Sequence, residues 1–520
     1  MKKWIVTITM TLAATLLPVP SFSAENSFDW KEFLGQYDML WDNDITADPV
    51  FPEGVFGKRH WGRTDGYYSG ALMGNGLLGT NLYKLTDGVY RLNVGRSDVT
   101  EARKPFSLYN SGRLPIGYFT FSTVGQVQDE KMRLSIYDAI TSGALKTDVG
   151  ELDFRTYVHS ERECIVFDTR TEGGESGWKL NFIPQKAISP RYVFNCSNVP
   201  KGYVNSQGKS NPDPYFRRDG DISISIQPLA KDTTFTDIAR WYVVAWKTVT
   251  DGPDSRTIAT VAQSAKLETA VREAKSLIRK AFAVPKEKLD SEHLGWWHKF
   301  YEQAAFLTFP DKEIEKFWWF QYYKFASTAR PGKPVVDLQG VWPTCDTPWP
   351  AIWMNLNIQL TYSWLTKANL GFLEQPLWDA LWKNRDNLTR NVTDIPGQED
   401  WTECRVMPRA SGYDMHAPLS PALALRNQYE VGNLTWTLFY YYQMCRAYGD
   451  DFQMKERLFP LLKSAVNIFF RIRIQNPDGT YSLPSTASPE YGEGDLGEIG
   501  TNTNYDLANL RWGLSTLIEV

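Results

Sequence analysis

The residues best suited to chemistry lie close together between Asp337 and Trp364, in the stretch DLQGVWPTCDTPWPAIWMNLNIQLTYSW. This stretch combines four tryptophans with two asparagines one residue apart, Asn355 and Asn357. Flat aromatic rings can pack against the C–H faces of a sugar while amides hold its hydroxyl groups. Prolines recur between the tryptophans and prevent a regular helix or strand. The stretch therefore favours a carbohydrate pocket or, alternatively, a tryptophan-rich packing contact between two domains.

Two later loops carry further polar and aromatic candidates. GQEDWTECRVMPRASGYDMHAP contains the acidic candidates Asp400, Glu403 and Asp414, together with Trp401 and His416. DGTYSLPSTASPEYGEGDLGEIGTNTNYD contains Glu490, directly after a Ser-Pro pair. Each of these candidate residues also has a structural interpretation, because a loop carboxylate is commonly solvated and a histidine is commonly hydrogen-bonded within the fold.

These loops connect segments with helical apolar spacing. From Asp311 onward the predicted helices are 312–329, 358–370, 372–392, 434–449 and 453–474. Apolar residues surround much of each helix, which is typical of the inner layer of a helical barrel. The loops between them are 331–357, 393–433 and 475–501. Long ordered loops in a compact domain are usually functional, and loops at one end of a barrel would place their polar groups in one cleft.

The chain before residue 265 shows the alternation of β-strands instead. Alternating runs separated by turn residues lie at 90–94, 117–124, 152–160, 164–171, 222–229 and 241–249. Many short strands at this spacing predict a sandwich of antiparallel sheets. The region is long for one simple sandwich, so a large multi-sheet form is expected.

The motif SGALMGNGLLGT at 69–80 stands out within the β region. Its glycines allow a tight turn and a close approach of the backbone to a neighbour. No βαβ unit follows, so a dinucleotide site is not expected. The motif indicates a structural turn or, alternatively, a loop that reaches a neighbouring active site.

Residues 265–305 are predicted to form a helical linker between the two regions. Leu267–Ala281 has helical apolar spacing with alternating charges. A second helix is expected within 286–305, with Ser291 as its N-cap.

Composition and charge exclude several classes of protein. The chain has 520 residues, which predicts two or three domains rather than a single core. Its formal net charge is −4 and it has no block of basic residues, so it is a poor candidate for binding nucleic acid. Tryptophan is concentrated in the helical region, with 12 of 20 between Trp296 and Trp436. Neutral small molecules or glycans are therefore the expected partners.

The first residues, MKKWIVTITMTLAATLLPVPSFSAEN, predict a secretory signal peptide cleaved after Ser23. The start of the sequence suggests a bacterial protein exported to the periplasm or the exterior. No stretch is long and apolar enough for a transmembrane helix, so membrane insertion is not expected. The five cysteines are scattered without CxxC spacing, and the five histidines are dispersed. A metal site is therefore not expected, while Cys345–Cys404 is a disulfide pair to test.

The order of three motifs in the helical region resembles glycoside hydrolase family 95. The motifs are QYYKFASTARPGKPVVDLQGVW, NLNIQLTYSW and PSTASPE, and SGALMGNGLLG resembles a motif of that family's N-terminal β domain. The resemblance extends from about residue 60 to the end of the chain. It implies inverting α-L-fucosidase or α-L-galactosidase activity on oligosaccharides or polysaccharides, without a metal or organic cofactor. It also implies an N-terminal β-super-sandwich, a linker and an (α/α)6 barrel. Together with the predicted signal peptide 1–23, the expected organisation is a β-super-sandwich at 24–264, a helical linker at 265–305 and an (α/α)6 barrel at 306–520.

Carried over onto this sequence, the resemblance implies that Glu490 is the general acid and that Asn355 and Asn357 hold the attacking water. Inversion requires an acid beside the leaving oxygen and a water on the opposite ring face. An amide orients this water through its carbonyl oxygen, but a carboxylate behind the amide must take the charge. As a structural alternative, the two asparagines cap a helix starting near Ile358, because Asn is a good N-cap.

Aromatic and polar neighbours of these groups are expected to contact the sugar. The predicted substrate-binding residues are Trp342, Trp353, Trp401, Glu403 and His416. Glu403 and Asp400 are also reserve candidates for charge stabilisation. The alternative role of the tryptophans is packing. Only one or two of Trp342, Trp349 and Trp353 are expected to line the pocket.

The sequence departs from the family pattern at three points. Pro343 follows the GVW tryptophan and Tyr491 follows the SPE motif, where the family usually has Asn. The family's carboxylate that supports the asparagine pair lies well after SPE, whereas this chain has 30 residues after Glu490. The barrel is therefore expected to be incomplete. The alternative functions are a non-catalytic glycan-binding remnant or a related (α/α)6 hydrolase or phosphorylase with another sugar specificity.

Overall fold

The computed structural model describes residues 28–42, 69–101, 112–191, 211–230, 239–342, 349–417, 430–486 and 500–519. The predicted signal peptide and Glu490 lie outside these parts of the chain, as does Cys345. Cys404, its predicted disulfide partner, is a buried free thiol. Over the described residues the protein is a mixed α+β chain in which most strands precede most helices.

The N-terminal half is built from long antiparallel strands. In chain order they are β1 Met39–Asp42, β2 Ala71–Gly74, β3 Leu78–Thr86, β4 Val89–Arg96, β5 Gly117–Ser122, β6 Val127–Ser135, β7 Ile140–Thr147, β8 Gly150–Val158, β9 Ile165–Gly173, β10 Lys179–Pro184, β11 Tyr215–Asp219, β12 Ile222–Pro228, β13 Trp241–Asp251 and β14 Asp254–Ser264. All six runs predicted as strands from their alternation are confirmed, because side chains on alternate sides of a strand need alternating polarity when one face is buried.

These strands form two sheets within the described residues. The larger sheet has the order β1-β6-β7-β8-β9-β14-β13-β12-β11, and the smaller has the order β10-β5-β4-β3-β2. Most neighbours in the larger sheet are consecutive in the chain, so much of it is a meander of hairpins. The pairing of β9 with β14 brings its two halves together.

The two sheets pack face to face through aromatic side chains. The Phe121 ring of β5 lies 5.2 Å from Phe154 of β8 and 5.1 Å from Phe167 of β9, measured between centroids. Tyr90 of β4 donates a hydrogen bond to Glu130 of β6 across the same gap. Aromatic pairs at such distances contribute about 0.5–1.5 kcal/mol beyond the area they bury. The space between the sheets is therefore a packed core.

The helices lie mainly in the second half. In chain order they are α1 Trp30–Gly35, α2 Leu267–Phe282, α3 Lys286–Gln303, α4 Lys312–Thr328, α5 Asn357–Tyr362, α6 Gln375–Lys383, α7 Arg385–Thr393, α8 Asn433–Tyr448, α9 Phe459–Ile472 and α10 Asn504–Glu519. A 3-10 turn at Gly371–Glu374 precedes α6, and a π-helical segment at Gln453–Leu458 leads into α9. The predicted helix 434–449 is confirmed by α8.

The predicted start of α3 at Ser291 is wrong. The helix begins at Lys286, directly after Pro285. Proline has the fixed φ that a helix start requires, so Pro285 places the start five residues earlier. Ser291 lies inside the helix, where its hydroxyl donates to the carbonyl of Lys288.

Two other predicted helices are shorter than their apolar pattern indicates. The helix expected over 358–370 ends at Tyr362 and is followed by turns. The one expected over 372–392 is divided into α6 and α7 at Asn384. The Asn384 amide donates to the carbonyls of Ala380 and Tyr413. Such side-chain bonds to the backbone offer the chain an alternative to a continuous helix.

The glycine-rich motif forms the turn between β2 and β3. The Asn75 side chain closes it by accepting the N–H groups of Leu77 and Leu78. Gly76 has φ +84°, and a Cβ there would lie 2.7 Å from Cγ of Arg330, just after α4. The motif is therefore a structural turn packed against the helical half, which was the first of the two alternatives.

A buried ion pair joins the β half to the tryptophan-rich stretch. The Arg113 guanidinium donates to Asp337 at 2.9 Å, and both side chains are 1% exposed. The backbone N–H of Arg113 donates to the carbonyl of Pro350. Both ends of the stretch that precedes Asn355 are thus held by one residue of the β half. Within the described parts of the chain, no helix has the length and hydropathy needed to cross a membrane.

Candidate active site

A short two-stranded ribbon joins the first and second of the long loops. Strand β15, Ile352–Trp353, pairs with strand β16, Ala410–Ser411. The next backbone contact extends the ribbon, since the Met354 N–H donates to the Arg409 carbonyl at 2.6 Å. The ribbon therefore brings the asparagine-bearing loop and the loop that carries Arg409 into one place, as loops at one end of a helical domain were expected to do.

The backbone between the two asparagines has an uncommon conformation. Leu356 has φ +65° and ψ −56° and occupies the N-cap position of α5, with no side-chain capping bond. A branched residue at positive φ costs about 1–3 kcal/mol and is found where the surroundings fix it, often at functional sites. Neither Asn355 nor Asn357 is the N-cap, so the structural alternative of helix capping does not explain the pair. The turn places Asn355 before the helix and Asn357 as its first residue.

Asn355 is completely buried and bonded to a carboxylate. Its amide nitrogen Nδ2 donates to Oε1 of Glu430 at 3.0 Å. The second oxygen of Glu430, Oε2, accepts from Nδ2 of Asn433 at 3.0 Å. The Arg409 guanidinium lies 3.9 Å from Oε1 and partly compensates the charge of this buried carboxylate.

Asn433 is in turn fixed by Tyr505 at the start of α10. The Tyr505 hydroxyl donates to Oδ1 of Asn433 at 2.7 Å. Burial raises the pKa of Tyr505 well above its usual value, so this hydroxyl remains protonated and continues to donate. Because Oδ1 of Asn433 accepts from Tyr505, only Nδ2 of Asn433 can face Glu430. This contact fixes the orientation of the Glu430 carboxylate, which faces Asn355 with its other oxygen.

The carbonyl oxygen of Asn355 is the unused acceptor of this cluster. Oδ1 of Asn355 is buried and has no hydrogen-bond partner among the described residues. An unpaired buried acceptor costs about 1–3 kcal/mol, so such groups call for a functional explanation. Because Glu430 fixes the amide nitrogen, the oxygen keeps one direction.

The predicted tryptophans occupy two different positions. Trp353 lies on the ribbon, half-buried, with its ring 5.8 Å from that of Trp349 and 5.9 Å from the Arg409 guanidinium carbon. It is therefore next to the Asn355 cluster. Trp342 is buried at the boundary with the smaller sheet, where its indole N–H donates to the Met73 carbonyl at 2.7 Å. That contact places Trp342 in the packing between the two halves.

Trp401 and Glu403 belong to a group on the outer side of the second loop. Arg471 of α9 donates to the Glu403 carboxylate at 2.5 Å and lies over the Trp401 ring at 5.8 Å. This bond holds the pKa of Glu403 below its usual range. Asp400 lies 3.5 Å from the same guanidinium. These contacts join the group to α9 rather than to Asn355.

His416 is held at the end of α7. Its ring nitrogen Nε2 lies 2.9 Å from a carboxylate oxygen of Asp394, the residue that follows the helix. Asp394 also pairs with Arg390 one turn earlier. The structure therefore shows His416 in a hydrogen-bonded arrangement of the kind expected for a structural histidine.

Glu490 lies outside the described residues, but the chain on either side of it is well anchored. The Thr486 hydroxyl donates to the buried carboxylate of Asp506 in the first turn of α10. Leu483 and Asn502 bond to each other through the Leu483 N–H and the Asn502 side chain. Both flanks of the third loop therefore meet at the start of α10, the helix that carries Tyr505.

Glu430, Asn433 and Arg409 were not among the residues predicted from the sequence. Glu430 and Asn433 are three residues apart in the segment EVGN, at the end of the second long loop and the start of α8. The sequence signal for them was a carboxylate and an amide three residues apart, at the start of a helix and at the end of a loop predicted to be functional. Of the described residues, no group of three or more His, Cys, Asp or Glu side chains is placed to hold a metal ion.

The fold has a counterpart among solved structures. A structure named "Putative kojibiose phosphorylase from human microbiome" superposes with a TM-score of 0.60 at 10% identity, covering 86% of this chain and 61% of that one. At this identity the likeness shows the fold alone.

The sequence of the helical half is similar to a known family. Residues 301–519 match the Glycosyl hydrolase family 95 catalytic domain, which confirms the predicted resemblance. The chain is also similar to "Alpha-L-fucosidase 2" of Arabidopsis thaliana, with 25% identity over 190 residues. That match spans 33% of this chain and 20% of the plant protein, so the chain aligns with about a fifth of that relative.

Proposed function

We propose that the protein is an exported glycoside hydrolase that removes terminal α-L-fucosyl or α-L-galactosyl residues from glycans with inversion. The observation that carries the proposal is the Asn355 amide. Its nitrogen is bound to the buried Glu430 carboxylate, and its carbonyl oxygen has no partner among the described residues. This amide lies inside the region that matches a glycoside hydrolase catalytic domain.

The amide and the carboxylate behind it suit the activation of water. Oδ1 of Asn355 accepts a hydrogen bond from the water, and Asn357, the first residue of α5, holds it from the other side. Donation from Nδ2 to Glu430 moves electron density toward Oδ1, because linked hydrogen bonds polarise one another. Glu430 is therefore our candidate for a carboxylate that supports the asparagine pair.

Glu490 completes the reaction as the general acid. The water oxygen attacks the anomeric carbon while the glycosidic C–O bond breaks, and Glu490 protonates the departing oxygen. Water activation and protonation take place on opposite ring faces, so the configuration is inverted. Trp353, beside the cluster on the ribbon, is the aromatic surface proposed for the sugar.

The remaining parts of the proposal concern architecture and location. We propose that the β half is the β-super-sandwich of the family and that the helices belong to its (α/α)6 barrel. The leader at 1–23 directs the protein to the periplasm or the exterior. The substrate is then an oligosaccharide or polysaccharide met outside the cytoplasm.

The test uses two substrates of different leaving-group quality. Glu490→Gln should retain binding but lower the turnover of an α-L-fucosyl-galactose disaccharide by about 10²–10⁴-fold, the usual contribution of a general acid. It should lower turnover of 4-nitrophenyl α-L-fucoside far less, because nitrophenolate leaves without protonation. Glu399→Gln, which changes an exposed loop glutamate bonded to the Gly397 N–H, is the matched control.

Two results would overturn the proposal. Full turnover of the disaccharide by Glu490→Gln would exclude its role as the acid. Turnover that depends on added phosphate and yields a sugar phosphate would replace hydrolysis with phosphorolysis.

A further inference from the structure

A cleft of about 720 Å³ beside the candidate active site is not used by the proposed reaction. One wall is α4, and the other walls are the segment 336–342 and the region of α5. Thr361, which lines the cleft, is four residues after Asn357 on α5, so the two are neighbours along one helix face. The volume of the cleft is in the range of pockets that hold small ligands.

The lining combines three tryptophans, Trp318, Trp342 and Trp364, with amide and hydroxyl groups. Trp318, Gln321, Gln339, Thr361 and Trp364 contribute to it. The indole nitrogen of Trp318 is buried and has no hydrogen-bond partner among the described residues. Aromatic faces beside such polar groups are suited to a sugar ring with several hydroxyls.

Lys324 adds a positive charge to this cleft. It lies on α4, three residues after Gln321, and is partly buried. No carboxylate of the described chain forms an ion pair with it. Its Nζ lies 5.9 Å from the ring centroid of Phe320 on the same helix. Asp337, the acidic residue that lines the cleft, is engaged by Arg113 at 2.9 Å.

A partly buried ammonium without a counter-ion is unfavourable, because it has lost part of its hydration without an opposite charge in return. Burial also lowers the pKa of Lys324 below its usual value. A carboxylate ligand would remove this cost.

We propose that the cleft binds an acidic sugar residue, a hexuronic acid whose carboxylate pairs with Lys324. Its ring packs against the surface formed by Trp318 and Trp364, which contact each other edge to face with their ring centroids 5.7 Å apart. The amides of Gln321 and Gln339 and the hydroxyl of Thr361 then hold its hydroxyl groups. This site is separate from the hydrolytic step, so binding is measurable whether or not the protein hydrolyses a glycoside.

The test compares sodium glucuronate, glucose and acetate as ligands of the full chain, by isothermal titration and ligand-observed NMR. Glucuronate should bind saturably, while glucose and acetate bind far more weakly. Lys324→Gln should weaken glucuronate binding by about 10–100-fold, the loss expected for a hydrogen bond between charged groups. Lys324→Arg should retain it. Lys316→Gln, on the same helix but outside the cleft lining, should leave it unchanged.

Affinity should also fall as the pH rises through the lowered pKa of Lys324, because the neutral amine cannot pair with the carboxylate. The proposal is overturned if Lys324→Gln binds glucuronate as the wild type does while circular dichroism shows it folded. It is also overturned if glucose binds equally well, or if acetate does, which would indicate an adventitious anion only.

Discussion

Replacement of Arg113 by Met should both destabilise the protein and displace the loop that carries Asn355. The Arg113 side chain pairs with Asp337, and its guanidinium also donates to the carbonyls of Gly340 and Arg96. Methionine fills a similar volume but supplies no donor. The substitution therefore leaves the Asp337 carboxylate buried without its partner.

The magnitude follows from the burial of the pair. Both side chains are 1% exposed, and removing one partner of such a buried pair costs about 3–5 kcal/mol. Arg170 and Asp254 offer a matched exposed pair at 3.1 Å, with side chains 54% and 58% exposed. Exposed pairs contribute about 0–1 kcal/mol, so Arg170→Met should have little effect.

The assay is guanidinium denaturation of the wild type, Arg113→Met, Asp337→Asn and the double variant, followed by circular dichroism and fluorescence. The double variant should be clearly more stable than the sum of the two single effects predicts, because the second change removes the charge that the first left unpaired. A loss below 1 kcal/mol in Arg113→Met, or strictly additive effects, would refute the assignment of a coupled buried pair.

Two further predictions concern buried carboxylates. Glu430→Gln should lower kcat by about 10–100-fold with little change in KM, because glutamine offers only one acceptor oxygen to Asn355 and Asn433. An unchanged kcat would exclude Glu430 as the carboxylate that supports Asn355. Burial raises the pKa of Glu374 to about 7 from its usual 4.5. The folded state then holds a proton that the unfolded state has lost, so unfolding free energy should fall between pH 4.5 and 7, by at most about 3 kcal/mol. Glu374→Gln should remove this slope in denaturation curves measured across the window, and a slope that persists would place its cause elsewhere.

The regular parts of the fold were predictable because they depend on local patterns. Strand β12, for example, alternates isoleucine and serine over residues 222–226, which is visible in the sequence. The existence of the helices could be predicted from the sequence, but their first and last residues were harder to predict. The start of α3 depends on Pro285, and the break between α6 and α7 depends on bonds made by Asn384.

The candidate site was predictable only in part, because its contacts join distant positions. The asparagine pair was identified through a resemblance to a family. Glu430, which is 75 residues from Asn355 along the chain, meets it only after the loops have folded together. The ribbon that aligns these loops has two residues in each strand, too few to show a periodicity. The bond between Glu403 and Arg471 likewise spans 68 residues.

The most direct test of the central claim is the configuration of the sugar first released from an α-L-fucoside, followed by proton NMR from the start of the reaction. A water held by Asn355 and Asn357 opposite the general acid predicts that β-L-fucose appears first and α-L-fucose only later, by mutarotation. Release of the α anomer first, or no release of fucose or galactose from either α-L-glycoside by the full chain, would contradict the account.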